Sequence, residues 1–458
     1  MNLAAMLRRQ GCASVRYALT GAAGQYARTL IAQTRLTPEV TPTLLCDLDV
    51  EAVRRLCLEV GFGSDEVRVC GSEEDVREAV SAGRTAIVAE LGPDAPEHYD
   101  ILVEATGSPG FGCRAAYRAI SSGRHVAMVS KEVDSVAGLA LARAAQRAGV
   151  TYTPAAGDQP GNLLDLVGWV RALGLDVVAV GKSSEYDLVF DHTSGRLSLL
   201  GESITVPELG DLWHVQGDIA TVLDQRARLV EPLASRPAAD YCEMAVVANH
   251  LGFASDAEAL HYPVARIPEL ADIYARREAG GLVSRDGVVD VFRALRRPDE
   301  ASFAGGVFAV VRTHDPVSWE VLRGKGHVVS QNGDHACIYW PYHFMGVETP
   351  AGLLAAVLFG AQLERTPSAP AVILAGRAKE PLPAGTVLEM GGHHHDLQGV
   401  APALVNTSEA PVDAAPLYLA AHTALTRDVA QGELLPLSAL AGVDSTLKGA
   451  WDASRKGE

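Results

Sequence analysis

Short apolar runs alternate with helically spaced apolar positions from Val15 to about Thr153. Val15-Arg16-Tyr17-Ala18-Leu19, Thr43-Leu44-Leu45-Cys46, Ile101-Leu102-Val103 and His125-Val126-Ala127-Met128-Val129 read as strands, Arg84 to Ala89 as a short extra strand, and Val150-Thr151-Tyr152 as the start of another. Between them, Tyr26 to Gln33, the set Val50, Val53, Leu56, Cys57 and Val60, and Ala137 to Ala148 have helical spacing, and a helix ends across Ala115 to Ser121. Ser72-Glu73-Glu74-Asp75 is a capping-box opening, and Asp49 suits the N-cap of the helix it precedes. This alternation predicts α/β structure, a doubly wound parallel sheet of the Rossmann type, over residues 1–155.

From 156 to 362 the pattern predicts an α+β domain. Leu163 to Leu173, Tyr241 to Leu251 and Ala351 to Gln362 read as helices; Asp176 to Gly181, Val307 to Val311 and Ala336 to Trp340 read as strands. Leu197 to Pro237 shows no clear period. Beyond Leu363 proline rises and long helical periods vanish, so 363–458 reads as a small β-rich domain with a poorly ordered tail from Leu447. Within it Leu382-Pro383-Ala384-Gly385-Thr386-Val387-Leu388 repeats weakly as Val429-Ala430-Gln431-Gly432-Glu433-Leu434-Leu435, each a strand, glycine turn and strand.

Composition narrows the function. A formal charge of −17 argues against a nucleic-acid or anionic-membrane partner. The longest apolar runs, such as Leu353 to Ala361, are too short to span a bilayer. No apolar stretch follows Arg8 and Arg9, so no signal peptide is read. Seven scattered cysteines without a C-x-x-C pair suit buried thiols in a reducing cytoplasm.

The junction Gly21-Ala22-Ala23-Gly24-Gln25-Tyr26-Ala27 joins the first strand to the first helix. Glycine there lets the backbone turn sharply and approach a diphosphate, which then meets the amides and positive end of the helix. The usual G-x-G-x-x-G is altered, because Ala23 and Tyr26 hold its second and third glycine positions. Asp47 ends the second strand, where an acid accepts from ribose hydroxyls and repels a 2′-phosphate, which leans toward NAD over NADP. Thr106 and Gly107 form the small-residue turn after Glu104. The cofactor-binding set is therefore Gly21, Ala23, Gly24, Gln25, Tyr26, Asp47, Thr106 and Gly107.

Ligands bind at the carboxyl ends of strands in open parallel sheets. Lys131 follows one strand and reads either as a group that orients a substrate oxygen or transfers a proton, or as a surface lysine; Lys182 follows another and reads as a cation that stabilises oxyanion charge on a reacting carbonyl. Asp158 reads both as a helix N-cap and as a carboxylate facing substrate. Glu243 lies on a helix apolar on nearly all faces, so it is expected buried with a partner or a raised pKa; acid and His250 at opposite helix ends also compensate the dipole. His343 precedes a helix and reads as structural, with reach to the site as the alternative, and His393-His394-His395 reads as a loop, since three successive residues do not readily face one ion. No metal site is read.

Several segments carry a resemblance: Val103-Glu104-Ala105-Thr106-Gly107, Ser122-Gly123-Arg124-His125-Val126, Gly157-Asp158-Gln159-Pro160, Val180-Gly181-Lys182, Glu243-Met244-Ala245-Val246-Val247-Ala248-Asn249 and Tyr342-His343. Together they resemble the homoserine-dehydrogenase-like oxidoreductases that include the 1-deoxyxylulose-5-phosphate reductoisomerase-like enzymes, over nearly the whole chain. The resemblance implies an NAD(P) domain, a catalytic domain, a C-terminal SAF (β-clip) domain and a homodimer. It implies hydride transfer to or from a carbonyl; the strand-end and helix positions above make Lys182, Lys131, Asp158 and Glu243 the expected catalytic set. The family pattern has a lysine where Ala239 stands, an arginine at Trp340 and a glycine at Ser183. Losing two basic groups shifts the expected small-molecule substrate from a phosphorylated ketose toward an uncharged polyol, ketose or hydroxy acid. Two alternatives remain: a metal-dependent reductoisomerase with Asp158 and Glu243 as oxygen ligands, and a catalytically silent cofactor-binding sensor or scaffold.

Overall fold

A computed structural model describes residue 6 and residues 14–233, 238–360, 367–391 and 396–457. The chain forms two compact units, one made of residues 1–161, 344–369 and 443–458, the other of 162–343 and 370–442.

The first unit holds the predicted sheet. Its strands are β1 (Val15–Thr20), β2 (Val40–Cys46), β3 (Val67–Val69), β4 (Thr85–Val88), β5 (Ile101–Glu104), β6 (His125–Met128) and β7 (Tyr152–Pro154), in the order β3-β4-β2-β1-β5-β6-β7. Every pairing is parallel. All carboxyl ends therefore share one edge, and the turns after β1, β2, β5, β6 and β7 gather there. The helix caps are as predicted: Asp49 accepts from the Ala52 amide at 2.9 Å and Ser72 from the Asp75 amide at 3.1 Å.

Helix Thr349–Phe359 belongs to this unit, with Leu353 and Leu354 in the same core as Leu19, Leu30, Ile31 and Val103. The expected tail from Leu447 is instead the helix Ser445–Lys456. Asp444 caps it by accepting from Thr446 and Leu447, and Leu447, Ala450, Trp451 and Ser454 are buried. Those four positions repeat at helical spacing and lie against helices Lys131–Ala148 and Pro109–Ser121. Arg143 donates to the carbonyls of Ala453 and Ser454, a cation placed at the negative end of that helix.

The second unit is built on a mixed sheet. Strand Val177–Ser183 pairs parallel with Val288–Arg296 and antiparallel with Val307–Arg312, which pairs with His335–Trp340. Helix Ala238–Leu251 packs on strand Val288–Arg296 and on the antiparallel pair Val372–Ala378 and Val400–Asn406. Asn249 fixes that contact, its carboxamide oxygen accepting from the amides of Ala371 and Val372 at 2.9 and 3.1 Å. The stretch from Leu197 without a readable period contains the strands Arg196–Leu199 and Glu202–Thr205 and the helix Ile219–Val230. The two repeats after residue 380 pair with each other: Leu382 and Val429 exchange both backbone hydrogen bonds, and Gly385 and Gly432 turn at positive φ. His393, His394 and His395 lie outside the described residues.

Six cysteines, Cys46, Cys57, Cys70, Cys113, Cys242 and Cys337, are buried free thiols. No described helix is long and apolar enough to cross a membrane.

Candidate functional site

The carboxyl edge of the parallel sheet carries the first group of side chains. Gly21 follows β1 at φ 71°. A Cβ there would fall on the carbonyl oxygen of Ala105, so only glycine lets the turn after β1 lie against the turn after β5. Gly24 is the N-cap of helix Gln25–Thr34 and supplies no side-chain hydrogen bond to its first turn. Gly24 and Gln25 are exposed. Tyr26 and Ala27 are buried, so the anion-accepting end of the helix is its exposed start at Gly24 and Gln25, which no side-chain oxygen caps. Asp47 closes the turn, one carboxylate oxygen accepting from the Ala23 amide at 2.9 Å and the other from the Asp49 amide at 3.1 Å.

Thr106 and Gly107 are held from below. Glu104 is fully buried, and its Oε1 accepts from the Thr106 amide at 3.1 Å and from the Thr106 hydroxyl. Burial pushes the Glu104 carboxyl above its ordinary value against the lowering effect of the Ser130 and Thr106 hydrogen bonds. Gly107 donates to the Ser130 hydroxyl at 2.8 Å, so the turns after β5 and β6 are tied together. Sequence reading missed both Glu104 and Ser130 as supports. The signal was the acid in the otherwise apolar run Ile101 to Glu104.

Tyr26 does not act as a substitute for glycine in the turn. Its ring is buried, its hydroxyl meets Thr349 Oγ1 at 2.6 Å, and Thr349 donates to the Ala156 carbonyl at 2.8 Å. Burial drives the phenol well above its ordinary pKa, with Asp158 adding to the effect and Lys131 opposing it. The tyrosine therefore lies within electrostatic reach of the next pair.

Lys131 begins the helix after β6, and Asp158 precedes the helix Gln159–Ala172. The Lys131 ammonium donates to both Asp158 oxygens, at 3.2 and 2.9 Å. Asp158 also accepts from the Gln159 amide at 3.0 Å, so it is both cap and counter-ion. The lysine side chain keeps 24% of its surface accessible and the aspartate 8%. A lysine in this position can reach a ligand without losing its partner.

Lys182 and Glu243 come together in the second unit. Strand Val177–Ser183 runs one residue past Lys182, because its pairings with Val291 and Val307 continue through that position. In a mixed sheet the residue does not project from a shared carboxyl edge, and Lys182 is 1% exposed. Its ammonium donates to Asp240 at 2.7 Å and to Glu243. Burial works against the cation, but the two carboxylates outweigh it and raise the lysine pKa. Asp240 is itself pushed up, by burial first and by Glu243, because two acids share one ammonium. Tyr262 donates to the other Asp240 oxygen at 2.7 Å. Asp240 was not singled out in the sequence; its place three residues before Glu243, on one helix face, was the available signal.

His343 packs against Gly305, where a Cβ would strike its ring. Among the described residues no group of three or more His, Cys, Asp or Glu side chains could hold a metal ion.

Residues 157–349 match the protein family described as oxidoreductase DRL, catalytic domain. That span contains Asp158, Lys182, Asp240 and Glu243. No curated protein sequence matches the chain significantly. Among solved structures, GenD2 from gentamicin A biosynthesis, in complex with NAD, is 18% identical over 77% of this chain and 89% of its own, with a TM-score of 0.33. The 1-deoxy-D-xylulose 5-phosphate reductoisomerase of Zymomonas mobilis, in complex with NADPH, is 18% identical over 38% of this chain and 46% of its own, with a TM-score of 0.27. The WlbA dehydrogenase of Bordetella pertussis, in complex with NADH and UDP-GlcNAcA, is 19% identical over 38% of this chain and 47% of its own, with a TM-score of 0.25. The chain thus spans less than half the length of the last two proteins.

Proposed function

We propose that the chain is an NAD(P)-dependent oxidoreductase moving hydride to or from a small polyol, ketose or hydroxy acid. The observation that carries the reading is the Lys131–Asp158 pair at the same sheet edge as the uncapped glycine turn, all within one compact unit. The match of 157–349 to an oxidoreductase catalytic domain supports it independently.

The turn suits a dinucleotide. Gly21 permits the close approach to Ala105, and Gly24 leaves the helix start open for a diphosphate. Asp47, just past the end of the second strand, would accept from adenosine ribose hydroxyls and favours NAD, since a 2′-phosphate would meet a carboxylate. The nicotinamide, when bound, supplies or accepts the hydride.

The chain's own residues handle the oxygen and the proton. Lys131 holds a positive N–H against the substrate oxygen and gives up a proton as the alcohol forms, or receives one in the reverse direction. Asp158 keeps the ammonium aimed through two hydrogen bonds. Lys182 has the role of a fixed buried cation: it holds Asp240 and Glu243, and Asp240 in turn holds Tyr262. A metal-dependent rearrangement is less favoured, because Asp158 and Glu243 each face an ammonium. The paired turns at Gly385 and Gly432 are read as a SAF-like module.

The test follows reduced-nicotinamide absorbance across a panel of polyols, ketoses and hydroxy acids. Turnover of at least one is expected. Tight coenzyme binding with no turnover across the panel would point to a sensor instead.

A further inference from the structure

A cavity of about 330 Å³ lies within the second unit. Arg293, His261, Tyr241 and Tyr262 form its polar walls, and Val230 and Val264 its apolar floor. Its size falls at the small end of pockets that take organic ligands.

Arg293 is the unusual member. It sits on strand Val288–Arg296, in register with Val264. One guanidinium nitrogen donates to the Leu233 carbonyl at 3.2 Å. Among the described residues it makes no ion pair with a carboxylate, and burial lowers its pKa from the ordinary value. Arg293 is half-buried, and a partly desolvated guanidinium without a counter-ion favours an anionic partner. Its fork of N–H groups matches a carboxylate or phosphate.

The other cation in the wall is already balanced. His261 Nδ1 meets Asp290 at 2.5 Å, and Nε2 faces Asp256 at 3.4 Å. Burial opposes its charge, but Asp290 and Asp256 outweigh that and raise its pKa. The unbalanced positive charge in the cavity is therefore that of Arg293.

The aromatic walls suit the carbon part of a small ligand. Tyr241 and Tyr262 stack with centroids 6.0 Å apart at 29°. Tyr262 is a non-glycine residue at φ 47°, a conformation kept only where surroundings enforce it. Its hydroxyl bond to Asp240 is one such tie, and Asp240 holds Lys182. The cavity wall is thus one hydroxyl away from the buried ion cluster.

We propose that this cavity is a binding site for a small oxyanion-bearing molecule, with Arg293 taking the carboxylate or phosphate and the stacked tyrosines forming one aromatic wall beside its carbon skeleton. The proposal stands apart from the coenzyme reading, because every wall residue lies within the second unit and binding needs no nicotinamide.

Calorimetry on the full chain without coenzyme tests it, using D-glycerate, sn-glycerol 3-phosphate and glycerol. These share one three-carbon skeleton with a carboxylate, a phosphate or neither. At least one anion should bind more tightly than glycerol, in a way that Arg293→Met removes; the tighter anion identifies the ligand class. Arg293→Met should weaken that binding by about tenfold or more. Should Arg293→Met fail to fold, Ala227→Trp provides the second variant: Ala227 is exposed on the cavity rim, so the indole blocks the mouth without entering the core. Binding by neither anion, or unchanged binding in the folded variants, overturns the proposal.

Discussion

Lys131 and Asp158 are 27 residues apart in sequence, yet the ammonium of one donates to both carboxylate oxygens of the other. The parallel pairing of β6 with β7 causes this, since it brings the segments after both strands to one edge. Sheet topology therefore converts two separate loop residues into a partly accessible acid–base pair.

Lys131→Met and Asp158→Asn should each lower kcat by roughly 10²–10⁴-fold, the range for losing a positioned proton-transfer group. Coenzyme Kd should change by less than about threefold, because neither residue supports the diphosphate turn. Steady-state kinetics with parallel coenzyme titration measures both. Unchanged kcat in either variant removes the pair from the proton path.

Lys182→Met leaves Asp240 and Glu243 buried without their shared cation. Stability should fall by about 3–5 kcal/mol, the usual result of breaking a buried ion pair from one side. Adding Asp240→Asn and Glu243→Gln should recover part of that loss. Denaturant unfolding of the single and triple variants reads the difference. Loss of turnover with wild-type stability would instead make Lys182 a residue that acts on substrate.

Glu104 should impose a pH dependence on stability. Its folded pKa lies above the ordinary 4.5 because burial disfavours the charged form. A raised folded value means its contribution is complete below the unfolded pKa and is lost as pH rises through the folded one. Glu104→Gln cannot ionise, so the variant should gain on the wild type as pH increases from 4.5 toward neutrality. Parallel unfolding profiles for the two proteins would contradict a buried carboxyl with a raised pKa.

Asp47 should set coenzyme choice. Asp47→Ser retains an acceptor for the Ala23 amide but removes the charge. The ratio of NADP to NAD affinity should rise by about tenfold, a change of roughly 1.4 kcal/mol. Identical ratios would place the adenosine ribose elsewhere.

The sequence revealed what local rules determine. Alternating periods predicted the parallel sheet, the cap residues Asp49 and Ser72 marked helix starts, and an acid in an apolar helix announced a buried partner for Glu243. It did not reveal that the partner was Lys182, because a pairing across 61 residues depends on tertiary packing. Asp240 was legible, three residues before Glu243 on the same helix face, and went unread. Helix Ser445–Lys456 was missed because terminal residues are expected to fray unless something ties them down. Its apolar stripe of Leu447, Ala450 and Trp451 gains meaning only against the helix Lys131–Ala148 that it covers. Lys182 was expected just past a strand end, but two flanking strands extend the pairing through it.

The most direct measurement is calorimetric titration of the wild type and Gly24→Asp with both redox forms of NAD and NADP. Aspartate is a good N-cap, so the variant should melt at the same temperature or higher. Its carboxylate would occupy the first-turn amides and repel a diphosphate, so affinity should fall by about tenfold or more. No heat with any coenzyme in the wild type, or equal affinity in Gly24→Asp, would contradict the account.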